Sequence, residues 1–249
     1  MVGDWTPLAF LAVVLIPLSL LTRWLSRHLQ GVGLLFTGDY QAALLVHYLV
    51  LLPGIALHEI SHWVAARLVG VKTRGISLHP EARRGGSIRF GAVKVARSDP
   101  FRESWIGAAP LLTGVAAILL LARWRFGVEM LPLLPPQTVW ATLVSSLNSP
   151  DALVWLYLIF AISNAMWPSE SDRQAWWAVA LLLALAAGTL YLSGWLPRLP
   201  RDLQGWVLTA ITYLGLAFAL AVAVDTVFAA FLFALEKAGE VLLHRHVEY

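Results

Sequence analysis

The sequence predicts an all-α polytopic membrane protein with about six transmembrane helices and a small cytoplasmic-side β-hairpin. Three observations predict this class. Of 249 residues, 59% are hydrophobic and 13% charged, with a mean hydropathy of +0.70, outside the usual balance of soluble domains. The apolar residues gather into runs near membrane length. Basic residues collect between those runs, as topology signals do. We expect one domain over residues 1–249.

Composition excludes several classes of function. The net charge is +3, but its basic residues lie mainly between apolar runs, which favours the lipid bilayer over nucleic acid as a partner. The chain has no cysteine, so thiolate metal ligands, disulfides and thiol catalysis are excluded. The first apolar run follows no basic segment and ends in no small-residue cleavage site, so we expect no cleaved signal peptide.

The first two predicted membrane helices cover residues 7–21 and 41–69. The glycine-containing stretch between them either lies along the membrane surface or re-enters the membrane. Pro53 and Gly54 interrupt the second run. They either kink that helix beside a polar cavity or are tolerated in an ordinary membrane helix.

The second run contains the sequence His58-Glu59-Ile60-Ser61-His62. On a helix the two histidines share a face and can reach one ion, with Glu59 beside a water at that ion. A lone histidine in such a run is usually a hydrogen-bonded core residue. Three ionisable groups in five residues each cost roughly 2.5 kcal/mol or more unless they face a cavity or a partner. The pattern therefore predicts a His-Glu-x-x-His zinc site. His47 lies about 16 Å further along the axis, and we interpret it as structural.

A basic segment follows, with predicted strands at residues 71–79 and 87–95 that form a hairpin within 71–97. It is either a solvated cytoplasmic loop near anionic headgroups, the usual behaviour of charge runs, or an edge strand that captures an extended substrate. Residues 67–102 hold nine Lys or Arg against Glu81 and Asp99, which places this loop in the cytoplasm. Six spans then put both termini in the cytoplasm and the metal site toward that side of the cell membrane. This topology places Arg23 and Arg27 on the outer side of the membrane, contrary to the tendency of basic residues to lie in the cytoplasm.

Four further runs cover residues 105–122, 151–167, 175–195 and 206–235. The fourth ends at a break caused by Pro168, which cannot donate to the carbonyl of Asn164. Backbone exposed at membrane depth must face protein or a water-filled cavity. Asp172 follows the break. Either Ser169, Ser171 or Asp172 merely caps the next helix, or Asp172 supplies the third metal ligand that the two histidines require. Asp225, in the sixth run, is the alternative ligand.

Residues 44–172 resemble the site-2 protease family of intramembrane zinc metalloproteases. The resemblance rests on the His-Glu-x-x-His helix, the basic β-rich segment, the small-residue region 107–113, and Asn164-x-x-x-Pro168 leading to Asp172. It implies a helical bundle around one Zn²⁺ per chain and cleavage of a transmembrane or membrane-anchored protein substrate. By residue it implies ligands His58, His62 and Asp172, the general base Glu59, and substrate positioning by Asn164, Pro168 and Thr113.

Two positions depart from the family pattern. Arg173 follows the ligand aspartate where glycine is frequent, and Thr113 replaces an asparagine. We expect a minimal or divergent member without a PDZ-type domain.

Two rival functions remain open. One is a non-catalytic zinc-binding membrane protein acting in assembly or transport, although transport predicts more ionisable residues in the spans than His47 and Asp225. The other is a protease of the prenyl-peptide-processing kind, which needs a downstream glutamate ligand such as Glu170.

Overall fold

The computed structural model describes residues 6–82, 88–126, 141, 150–193 and 201–246. These residues are mostly helical. The elements in order are α1 (Thr6–Thr37), α2 (Tyr40–Leu68), β1 (Thr73–Ala82), β2 (Ile88–Val95), α3 (Pro100–Phe126), α4 (Ala152–Ala165), α5 (Glu170–Arg173), α6 (Trp176–Leu192) and α7 (Arg201–Leu243).

Four helices, α1, α2, α3 and α7, are long and apolar enough to cross a membrane. A fifth span is counted if α4 and the chain from Glu170 to Leu182, which meet at a bend of 58°, are taken together. The sequence predicts six, and the difference lies in the fourth and fifth runs. The 14 residues of α4 span only about 21 Å, less than the hydrocarbon core of about 30 Å.

The first two helices form an antiparallel helical hairpin. α1 continues through the stretch expected to lie on the surface or re-enter, and ends at Thr37. Gly38 then adopts φ +68°, a left-handed conformation that suits glycine after a helix. Asp39 caps α2 by accepting a 2.8 Å hydrogen bond from the amide of Ala42. A side chain at Gly33 would meet the Cα of Ala43 at 2.9 Å, so this glycine permits the close crossing.

The first and last helices run in the same direction. Gly215 of α7 packs against Phe10, near the start of α1, whereas Gly239 packs against Leu35, near its end. The start of α1 and the end of α7 therefore lie at opposite ends of the bundle. This differs from the sequence-based topology, which placed both termini on one side. An odd number of crossings is consistent with the parallel course.

The core of the bundle lies between α1, α2, α3, α4 and α7. Its fully enclosed side chains include Leu18, Ile118, Ile159 and Leu220. The two strands begin directly beyond α2, where Gly70 has φ +73° and the amide of Val71 donates to the carbonyl of Ala66.

β1 and β2 pair antiparallel, with Thr73 opposite Val95 and Ser77 opposite Ala92. β1 starts two residues later than predicted and extends to Ala82. The predicted connection covers residues 80–86; residues 80–82 continue β1 instead, and residues 83–86 lie outside the described part of the chain. The small sheet therefore lies at the end of α2 that carries the histidines.

Candidate metal centre

The two histidines lie one turn apart on α2, and their Nε2 atoms are 3.1 Å apart. α2 approaches α4 closely at Gly54, where a Cβ would stand 1.9 Å from the carbonyl oxygen of Ala161. One turn later the Nδ1 of His58 lies 2.8 Å from the carbonyl oxygen of Ala165. The glycine thus lets α4 reach the first histidine.

Backbone carbonyls set the tautomers of both rings. The Nδ1 of His62 lies 2.9 Å from the carbonyl oxygen of Ile106 on α3, and His58 makes the equivalent contact with Ala165. A carbonyl oxygen only accepts, so each Nδ1 carries the proton and donates. This leaves the Nε2 atom of each ring as the one that can ligate a metal ion. Such carbonyl partners are the usual support of metal-binding histidines.

Asp172 reaches the histidines from the short helix after the break. The amide and hydroxyl of Ser169 each donate to its Oδ2 at 2.7 Å, completing a capping box at the start of α5. Its Oδ1 lies 3.3 Å from the Nε2 of His62. The carboxylate therefore caps α5, one of the two roles that the sequence left open, through Oδ2, while its Oδ1 lies beside the two histidines.

Gly107 of α3 makes room for Asp172. A Cβ at Gly107 would stand 2.1 Å from the carbonyl oxygen of Asp172, so any side chain there would displace α5. Farther along α3, Gly114 packs against Met166 in the break. The small-residue region 107–113 therefore begins directly behind the aspartate.

The geometry of the three groups fits a metal ion. Among the described residues, His58, His62 and Asp172 form the group whose candidate ligand atoms all lie within 4.8 Å of one another. A tetrahedral ion with ligands at about 2.0–2.1 Å has donor atoms about 3.3 Å apart. Here the two Nε2 atoms are 3.1 Å apart, and the Oδ1 of Asp172 is 3.3 Å from the Nε2 of His62. The other carboxylate oxygen, Oδ2, lies 3.7 Å from the Nε2 of His58. Two lone pairs and a carboxylate therefore surround a space suited to a cation.

Two cavities meet at this centre, and Glu59 lines both. The first, called the β2 cavity, has a volume of about 320 Å³ and is lined by Val93 and Val95 together with His62 and Asp172. The second, called the His47 cavity, has a volume of about 280 Å³ and extends along α2 past both histidines to Ser26 and His47. Glu59 is 5% exposed, so its carboxylate is enclosed beside the histidines.

The other predicted residues have separate positions. Asn164 lies at the end of α4 and lines the His47 cavity. Pro168 is buried within the break, and Thr113 lies on α3 next to Gly114. Asp225 is not in the metal-ligating group: its Oδ1 accepts hydrogen bonds from Ser163 at 2.9 Å and Asn164 at 3.0 Å.

Sequence reasoning missed the backbone part of the site. The carbonyls of Ile106 and Ala165 carry no residue-type signal, since any amino acid supplies one. Gly107 carried a weak signal as part of a small-residue region. Ser169 was one of three predicted caps; its capping box with Asp172 follows the pattern of a serine three residues before an acidic residue.

Fold and centre together define a bundle of membrane-type helices that encloses a candidate metal-binding triad. No protein-family model, curated protein or solved structure significantly matches the chain.

Proposed function

We propose that this protein is an intramembrane zinc metalloprotease similar to the site-2 protease family. The observation that carries the proposal is the convergence of two Nε2 lone pairs and one Asp172 oxygen beside the enclosed carboxylate of Glu59. Nitrogen and oxygen ligands in a near-tetrahedral arrangement suit zinc. A third protein ligand leaves one position open for chemistry, as in catalytic rather than structural zinc sites.

Several residues of the chain have separate roles in the proposed reaction. Bound zinc supplies Lewis-acid chemistry, polarising a peptide carbonyl and lowering the pKa of water. Glu59 then takes a proton from the attacking water and delivers it to the leaving amine. The carbonyls of Ala165 and Ile106 hold the imidazoles in one orientation throughout.

The β2 cavity is the proposed place for the substrate. A transmembrane helix hides its peptide bonds in its own hydrogen bonds, so a substrate must unwind before a carbonyl can approach the centre. Val93 and Val95 bring β2 to the cavity wall, which supports capture of the unwound segment by main-chain pairing. The basic residues around β1 and β2 favour a cytoplasmic position for this end of the bundle in the cell membrane.

The test compares purified wild type with Glu59→Gln for zinc content and for cleavage of a membrane-anchored reporter. We expect the variant to keep zinc and to lose about 10²- to 10⁴-fold in cleavage rate, the usual contribution of a general base. Glu170→Gln is the matched control, because Glu170 is an exposed carboxylate on α5. It should cleave normally, whereas loss of activity there would favour the prenyl-peptide-processing alternative.

Two outcomes would overturn the proposal. Full cleavage by Glu59→Gln would remove the general base from the mechanism. A wild type that holds zinc but cleaves no membrane reporter would favour the non-catalytic zinc-binding role in assembly or transport.

A further inference from the structure

A carboxylate on α7 lies in the interior of the bundle, away from the metal-ligating group. Asp225 has 0% exposure, and ionisable groups at such depth are costly unless they have partners. Its Oδ1 accepts from the amide of Asn164 at 3.0 Å and lies 2.9 Å from the hydroxyl of Ser163, whose single hydrogen is shared between this oxygen and the carbonyl of Phe160. Both donors belong to the last turn of α4, so the bonds join α7 to that turn.

The same turn of α4 orients a metal-site histidine. Ala165, the next residue, accepts from the Nδ1 of His58 at 2.8 Å. Beyond it the helix stops, and Pro168 has no amide hydrogen to continue the ladder. A helix end without a following turn is prone to fraying. Side-chain bonds must therefore supply part of the support that the backbone lacks there.

The amide of Asn164 strengthens this link. Its Nδ2 donates both to Asp225 and, at 2.9 Å, to the carbonyl of Phe160 one turn earlier. The side chain thus connects the α7 carboxylate to the body of α4. The donor atom of Asn164 serves this contact, and the substrate-positioning role implied by the family resemblance stays a prediction.

We propose that Asp225 is a positioning residue for the metal centre. Through Ser163 and Asn164 it fixes the last turn of α4, and with it the Ala165 carbonyl that orients His58. This inference rests on the proposed metal site, but gives Asp225 no contact with the metal or the substrate.

The test measures Zn²⁺ affinity of the full chain in detergent by competition with a chromophoric chelator. Asp225→Leu removes the acceptor and keeps the branching of the side chain, and we expect about a 10-fold loss of affinity, the low end of the effect of groups behind a ligand. Asp225→Asn keeps an acceptor oxygen and should stay within about 3-fold of wild type. Leu220→Ala is the matched control. It leaves a cavity beside the same helix, α7, at a side chain that is 1% exposed, but it removes none of these hydrogen bonds. This variant should bind Zn²⁺ normally.

Two readouts separate positioning from a general loss of stability. The visible spectrum of bound Co²⁺ reports ligand geometry and should change in Asp225→Leu but not in Leu220→Ala. In the metal-free protein, amide hydrogen exchange at Ala165 and Met166 should accelerate only in Asp225→Leu. If that variant does not fold, Ser163→Ala removes one of the two donors and should give a smaller effect of the same kind, about 3-fold.

Several results would overturn the inference. These are wild-type affinity in Asp225→Leu, an equal loss in Leu220→Ala, and a loss in Asp225→Asn as large as in Asp225→Leu. Failure of the proposed function is distinguishable, because a wild type without Zn²⁺ affinity would refute the metal site while the exchange measurement still tests the link from α7 to α4.

Discussion

Substituting Gly107 by alanine should displace the aspartate of the metal centre. The new Cβ would stand 2.1 Å from the carbonyl oxygen of Asp172 and 3.0 Å from its carbonyl carbon. Ordinary contact begins at 3.4 Å, so α3 and α5 must separate by about 1.3 Å if the whole strain is relieved there. Both contacting groups are backbone, so no side-chain rotation relieves the clash.

A displacement of this size is large compared with the tolerance of a metal site, where ligand distances hold to within about 0.2 Å. Asp172 would carry its Oδ1 away from the 3.3 Å contact with His62. We expect Zn²⁺ affinity to fall about 10- to 100-fold, the range found when the support of a ligand is removed. Chelator competition on the purified protein measures this, with zinc content as a second readout.

Gly188→Ala is the matched control. A Cβ at Gly188, on α6, would meet nothing within 4 Å, so the same chemical change should leave Zn²⁺ affinity unchanged. Wild-type affinity in Gly107→Ala would refute the reasoning, since it would mean either that α5 moves without consequence or that Asp172 is not a ligand.

Two further predictions concern packing and topology. Gly54→Ala should lower the unfolding temperature in detergent, because its Cβ would stand 1.9 Å from the Ala161 carbonyl oxygen and overpacking typically costs about 1–3 kcal/mol; an unchanged temperature would contradict the close crossing of α2 and α4. The cysteine-free chain also permits single-cysteine labelling. Lys72→Cys and His246→Cys should react with a membrane-impermeant maleimide from opposite sides of the membrane, and labelling of both from one side would contradict the parallel course of α1 and α7.

The sequence predicted the parts of the fold that depend on local composition. Hydropathy located the apolar runs, but it counted six spans because it treats each run as a separate crossing. The break at Pro168 leaves α4 too short to cross on its own. The strands were located within a few residues, because β-branched residues and turn signals are local as well. The direction of α7 relative to α1 depends on helix packing and had no local signal.

Helical periodicity places His58 and His62 on one face whatever surrounds them, so two imidazoles and a carboxylate in one short stretch of α2 are evident from the residue order alone. The distant carboxylate that joins them is set by the packing of the helices. Asp172 does so because Gly54 and Gly107 let α4 and α5 approach α2 and α3 closely. Asp225 instead lies where α7 meets the end of α4. Contacts between residues more than a hundred positions apart depend on how helices pack, and spacing along the chain does not specify that.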